Sequence, residues 1–299
     1  MRKAIALLIT VMSVMIISVA IGYGLTQLQT GAKSLSVEEK AYQYTMLLDD
    51  LLEILESSDE LAHLAESDAS EELYLFLENS RYLSFLQGER KVVVSFASAR
   101  SKLNINTFNK SNAPLFRSYF SRHMIANGYV DILRECMHTN QVKEGYNNSY
   151  KSALFEKHPE LFRDYIASKE HLEIINAFYM QEYGDEALGQ IPFEKLFSYS
   201  LNPAQEIDLN YATAEVLELI LGTTRERALE IKGSGLFYKS FKNMGLSKEE
   251  EQNIAHFRTT FFAPFLAVHV LIVTDERVAT IDFEYDIQQK RGYNFVFEL

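Results

Sequence analysis

The stretch Phe262-Ala-Pro-Phe-Leu-Ala-Val-His-Val-Leu-Ile-Val-Thr274 is packed with β-branched and aromatic residues and reads as a long strand. Asp275-Glu276 follows as a turn. From Val278 to Ile287, β-branched and aromatic residues alternate with acidic ones, which gives a second strand. Gly292 breaks the chain, and Tyr293 to Leu299 reads as a third. Far upstream, after the turn signal at Gly88, Lys91-Val-Val-Val-Ser-Phe-Ala-Ser98 carries a fourth strand signal. Between these signals, residues 99–258 are helical in pattern. Loop signals punctuate them at residues 109–114, 144–149, 158–159, 184–189, 202–203 and 233–235. If the four strands share one antiparallel sheet, the helical block is an insertion into a small α+β domain, rejoined by C-terminal strands over 259–299.

Working back toward the start, residues 59–78 read as an acidic, solvated helix that turns Leu61, Leu64, Leu73 and Leu77 inward. From Ser36 to Glu56 the apolar residues fall at Val37, Ala41, Tyr44, Leu47, Leu48, Leu51, Leu52 and Leu55, one stripe of a helix. Ahead of it, Ala4 to Leu25 contains no charge, and the next ionisable residue is Lys33. About 20 apolar residues span a bilayer as a helix. Arg2 and Lys3 precede the run and acids follow it, which places the amino terminus in the cytoplasm. A secretory signal peptide cleaved near Ser18-Val19-Ala20 competes with a retained span. The run is longer than a usual signal core, and the amphipathic stripe behind it favours one long helix that leaves the membrane and lies along a domain. Residues 5–25 are then the membrane part, and 26–98 the remaining helix and the first strand.

The bulk numbers restrict the chemistry. The formal net charge is −12, and with Arg2 and Lys3 set apart the body is more negative still. Such a surface repels nucleic-acid phosphates unless a local basic patch exists. The single Cys136 excludes an internal disulfide and any multi-cysteine zinc site, and reads as a buried small hydrophobe. The histidines are scattered without metal-ligand spacing; His269, among apolar strand residues, reads as a core or edge histidine. No Walker, GxGxxG, HExxH or GxSxG motif occurs, so nothing marks an enzyme, and no catalytic residue is assigned.

The most specific internal motif is Ala204-Gln-Glu-Ile-Asp-Leu-Asn-Tyr-Ala-Thr-Ala-Glu-Val-Leu217. It looks like the opening of a helix-hairpin-helix unit. Asn210 bonds the local backbone into a tight turn, Thr213 caps the helix, and Val216, Leu217 and Ile220 bury one face. A second helix is expected over residues 224–231. Leu103-Asn104-Ile105-Asn106-Thr107-Phe108 repeats the theme at lower fidelity. DNA-binding hairpins of this kind carry Gly-x-Gly, whose amides cradle a phosphate. Here the hairpin is Leu221-Gly222-Thr223-Thr224-Arg225, with one glycine missing, four glutamates around it, and only Arg225, Arg227 and Lys232 as cations. A structural role is expected, with no nucleic acid.

The start of the chain, Arg2-Lys3-Ala4 and then Ile5-Ala6-Leu7-Leu8, resembles the prepilin segment of pseudopilins. The resemblance implies cleavage by a prepilin peptidase between Ala4 and Ile5 and methylation of the new amino terminus. Most pilins have Glu at the fifth mature position; here it is Ile9. An intramembrane carboxylate is costly and needs a partner, and a subunit lacking it has no neighbour above to pair with. That trait, a basic leader and a large helical insertion resemble the K-type minor pseudopilin of type II secretion (the general secretion pathway protein K family). The implied fold is a pilin-like long helix on a small antiparallel sheet with an all-α insertion. The implied role is to start or cap a periplasmic pseudopilus from the bacterial inner membrane. Other minor pseudopilins would be met through the amino-terminal helix, with secretin or cargo as further contacts.

Calcium enters through the same resemblance. Asp275, Glu276 and Asp282, or Asp185 with Glu186, are candidate oxygen ligands, but none has the closely spaced acidic pattern of a loop site, and no ligand is assigned. Asp282, Glu284 and Asp286 read more plainly as a solvated, edge-protecting row. Two alternatives remain open: a membrane-anchored helix-hairpin-helix protein of DNA uptake, and a minor pilin of a type IV pilus. An enzyme released by ordinary signal cleavage has no catalytic constellation behind it.

Overall fold

The computed structural model describes residues 45–66, 70–79, 82–87, 90–137, 153–202, 204–234, 237–273 and 278–298. Among these, five strands form one antiparallel sheet in the order β1 (Leu83–Gln87), β2 (Arg90–Ser98), β7 (Phe265–Val273), β8 (Val278–Asp286), β9 (Arg291–Glu298). The alternation noted along these segments fixes the register. Val92 faces Ile272, and Ile272 faces Ala279; Val94 faces Val270, and Val270 faces Ile281; Phe96 faces Val268, and Val268 faces Phe283. All of these side chains are buried on one face of the sheet.

Helix α1, residues 45–57, lies over that face, with Leu48 and Leu55 in the same core. α2 (Asp59–Leu64) and α3 (Ser70–Asn79) add Leu61, Leu64, Leu73 and Leu77, the four residues the acidic stretch was expected to turn inward. Each such side chain, fully buried, contributes about 1.5–3 kcal/mol before entropy is counted. Lys290, in the β8–β9 turn, donates from Nζ to the Glu56 carbonyl at 2.8 Å and so caps the end of α1.

β2 and β7 are neighbours in the sheet, and the whole helical block leaves and returns between them. That block contains β3 (Leu103–Asn104), α4 (Ala113–Arg122), α5 (Gly128–Met137), α6 (Leu154–Lys157), α7 (Lys169–Tyr183), α8 (Phe193–Leu196) and β4 (Phe197–Ser198). It continues through β5 (Ile207–Asp208), α9 (Ala214–Leu221), α10 (Arg225–Gly233), α11 (Phe241–Met244), α12 (Lys248–Ile254) and β6 (Thr259–Thr260). It has its own core, rich in stacked and edge-on rings such as Phe108–Phe116 and Phe120–Tyr129. Cys136 is fully buried there as a free thiol, and burial pushes its pKa up to about 12.

Four features differ from the reading of the sequence. Leu83–Gln87 forms the hairpin partner of β2, a strand that the sequence pattern left unassigned. The segment starting at Phe262 enters the sheet only at Phe265, because Pro264 has no N–H to give a ladder and the Ala263 N–H goes elsewhere. His269 is neither in the core nor on an edge strand. It stands on the outward face of the central strand β7, with Nδ1 2.7 Å from Asp282 Oδ1. The acidic row on β8 is likewise not at an edge, since β9 covers it. Asp282 meets His269, Glu284 holds Arg100 at 2.6 Å, and Asp286 is buried and accepts the Gln289 N–H.

Candidate functional site

The helical block opens twice with the same device. In β5, Asp208 Oδ1 accepts the Asn210 N–H at 3.0 Å, an Asx turn. The Asn210 carboxamide then donates to the Tyr238 carbonyl at 3.0 Å and the Phe261 carbonyl at 2.8 Å, and accepts the Tyr238 N–H at 2.8 Å. In β3, Asn104 Oδ1 accepts the Asn106 N–H at 3.1 Å. The Asn106 carboxamide donates to the Ile166 and Ser200 carbonyls at 3.0 and 3.1 Å and accepts the Ile166 N–H at 2.8 Å. Each opening strand pairs in parallel with a two-residue strand that closes its unit, β3 with β4 and β5 with β6. Asn210 was expected to bond its local backbone; instead it joins segments 28 and 51 residues away.

The expected hairpin follows. Thr213 caps α9, its hydroxyl accepting the Val216 N–H at 3.1 Å, and Thr224 caps α10 in the same way. Gly222 ends α9 with φ +66°, a left-handed conformation that glycine adopts without strain. The hairpin is wedged into the block. Arg122 donates to the Glu218 and Gly222 carbonyls, and Asn253 to the Leu221 carbonyl at 2.9 Å. A Cβ on Gly222 would lie 2.7 Å from Asn253 Nδ2 and 3.0 Å from Leu115 Cδ2.

The cations that a phosphate would need here are already engaged. Arg225 pairs with buried Glu215 at 2.8 Å, and Arg227 with Glu230 and Glu250 at 3.0 and 3.4 Å. Lys232 donates to the Ala212 carbonyl at 2.9 Å, and its burial lowers its pKa. Burial is the largest single influence on Glu215 and pushes it toward its neutral form, but the Arg225 hydrogen bond and charge, a backbone N–H and the charge of Lys195 together outweigh it and leave the carboxyl below its ordinary value. Glu218, also buried, meets His123 at 3.2 Å and Arg122 at 3.7 Å. Acids line this hairpin from within, and its arginines serve them.

Asp208 also ties the block to the sheet. Its Oδ2 accepts the Ala263 N–H at 2.8 Å just before β7 begins, and burial pushes its pKa up to about 7 against the pull of two backbone N–H donors. Nearby, Tyr74 on α3 sits against Tyr211 and Phe237, Lys239 pairs with Glu71, and Arg100 covers the Phe265 ring while bonding Glu284. Asp208 has a sequence signal, the Asx-x-Asn spacing. Arg122 and Asn253 have none, since they act across long separations in the chain.

Ala4, Ile5 and Ile9 lie outside the described residues, as do Asp275 and Glu276. Asp185 is committed to local structure, accepting the Tyr179 hydroxyl at 2.9 Å and the Ala187 N–H at 3.2 Å. Among the described residues no three His, Cys, Asp or Glu side chains are grouped to hold a metal ion, and no helix is long and apolar enough to cross a membrane.

No protein-family model matches the chain, and no curated protein matches it. Among solved structures, it matches a chain in the crystal structure of the GspK-GspI-GspJ complex from the enterotoxigenic Escherichia coli type 2 secretion system. The TM-score is 0.53 and the identity 12%, over 88% of this chain and 97% of that one. The likeness is therefore one of fold: a mixed helix-and-sheet architecture aligned over most of both chains.

Proposed function

We propose that this chain is a K-type minor pseudopilin that starts or caps the tip of a periplasmic pseudopilus in protein secretion. The single observation that carries the reading is the shared fold with a chain of the GspK-GspI-GspJ complex, aligned over nearly all of that chain's length. The charge-free run from Ala4 to Leu25 behind Arg2-Lys3 supports an inner-membrane anchor with the amino terminus in the cytoplasm and the folded body in the periplasm. A prepilin peptidase would cut after Ala4. The neighbour was crystallised with two other components of its secretion system; the partners here are, on the same pattern, other minor pseudopilins. Ile9 suits a subunit with none above it, and a helical block of this size, inserted between β2 and β7, would hinder one. The role is assembly, without catalysis, and the exposed block is free to meet secretin or cargo.

The DNA-uptake reading needs free cations at the hairpin, and Arg225, Arg227 and Lys232 are all engaged. The test is disulfide cross-linking in membranes. Cys136 is buried, so Met46→Cys and Ile54→Cys on the exposed side of α1 supply the reactive thiols. Cross-links to co-expressed pilin-like subunits are expected. Adducts no more frequent than from Leu201→Cys, exposed on the helical block, would contradict the assignment.

A further inference from the structure

The two Asn-turn units meet along a cleft that neither the hairpin nor the sheet uses. A cavity of about 370 Å³ opens there, within the size range of small-ligand sites. Its floor is apolar: Leu103, Phe108 and Ile207 are almost fully buried beneath it, and Phe257 lies at its side. Its polar wall is fixed in place. Asn106 spends its carboxamide on Ile166 and Ser200, while Asn109 and Asn112 each donate one N–H to the Thr107 carbonyl at 3.0 Å and keep the other.

The cations at the mouth are different. Arg258 and His256 line the cavity, and neither side chain has a hydrogen bond or an ion pair among the described residues. Every other arginine whose side chain is placed has an acid or an aromatic ring against it. In a chain of net charge −12, an unpaired guanidinium beside a cavity with no carboxylate in its lining is the exception. On its far side Arg258 borders a second cavity of about 560 Å³, where Glu206 and Glu251 stand. Those acids oppose a polyanion more strongly than a single negative charge.

We infer that this cleft binds a single carboxylate borne on an apolar group, such as the C-terminal end of a polypeptide whose last residue is large and hydrophobic. Arg258 takes the carboxylate as a fork, His256 and the spare Asn109 and Asn112 N–H groups complete the shell, and the apolar side chain rests on Phe108 and Phe257. The site does not depend on the assembly role, since its chemistry is local to the helical block.

The chain has no tryptophan, so a tryptophan probe reports by its own emission. Acetyl-Gly-Trp with a free carboxylate is titrated with the full chain in detergent micelles, against empty micelles and against the same peptide as its C-terminal amide. The acid is expected to bind saturably with Kd on the order of 1 mM, weaker than the limit that about twenty non-hydrogen atoms allow, and the amide at least tenfold more weakly. Arg258→Gln, which breaks no hydrogen bond or ion pair among the described residues, is expected to weaken the acid at least tenfold; Arg163→Gln, which lies outside the cavity, is expected to leave it unchanged. Equal binding of acid and amide, or wild-type affinity in Arg258→Gln with an unchanged circular dichroism spectrum, overturns the proposal.

Discussion

Asn106 and Asn210, far apart in sequence, make the same three bonds: each carboxamide donates to two carbonyls and accepts one N–H from remote segments. Each therefore closes a unit that its own strand opens. Replacement by Ala strands three backbone groups, so Asn210→Ala is expected to lower the stability of the folded body by about 2–4 kcal/mol. Asn106→Ala is expected to match it within about 1 kcal/mol. Urea unfolding of each variant reads this directly. A loss below about 0.5 kcal/mol in both would mean that the turns hold without their side chains.

Gly222 and Gly184 separate strain from crowding. Both have positive φ, but a Cβ meets Asn253 and Leu115 only at Gly222, and nothing within 4 Å at Gly184. Gly184→Ala is expected to cost about 1 kcal/mol from backbone strain alone. Gly222→Ala is expected to cost about 2–4 kcal/mol, because α4 and α12 must also give way. Equal melting temperatures for the two variants would remove the packing role assigned to the hairpin.

Asp208 makes a pH-dependent contribution of definite sign. Its pKa is about 7 in the fold, against an ordinary value of 3.8, so the folded state binds the extra proton between those limits. Its contribution is fully favourable below the lower value, falls as pH rises, and is lost above about 7. Between pH 5 and 7.5 the wild-type chain is expected to lose stability where Asp208→Asn does not. Parallel unfolding curves for the two proteins across that window would contradict the assignment.

Arg100 joins the helical block to the sheet through Glu284 and the face of Phe265. Arg100→Lys keeps the charge but loses the planar fork and the stacking, and is expected to recover less than half of the stability lost in Arg100→Ala. Guanidinium-induced unfolding midpoints provide the comparison. Full recovery by lysine would reduce the contact to a simple ion pair.

Much of this architecture is legible in the sequence because its periods are strong. Three valines and a phenylalanine at Lys91–Ser98 and the alternation from Val278 onward give the sheet, and their distance apart gives the insertion. The hairpin is legible because Asn210, Thr213 and Gly222 each need a particular residue type at a particular backbone conformation. What was not legible depends on partners remote in the chain. Leu83–Gln87 is a strand only because β2 folds back on it, and His269 faces outward because Asp282 on β8 stands opposite. Arg122 and Asn253 close the hairpin with no local pattern to announce them, and the remote partners of Asn106 and Asn210 had none either, although the repeat of the Asn motif at residues 103–108 was legible. Arg258 stands out only once every other placed arginine is seen to have a partner.

The central claim is that the charge-free start of the chain is a pilin-type assembly element. Amino-terminal sequencing with mass measurement of the mature protein, taken from membranes of a host with a prepilin peptidase, tests it most directly. The account predicts a start at Ile5 with one added methyl group. A start at Ile21, the mark of ordinary signal cleavage, would contradict it, as would a uniformly intact Met1.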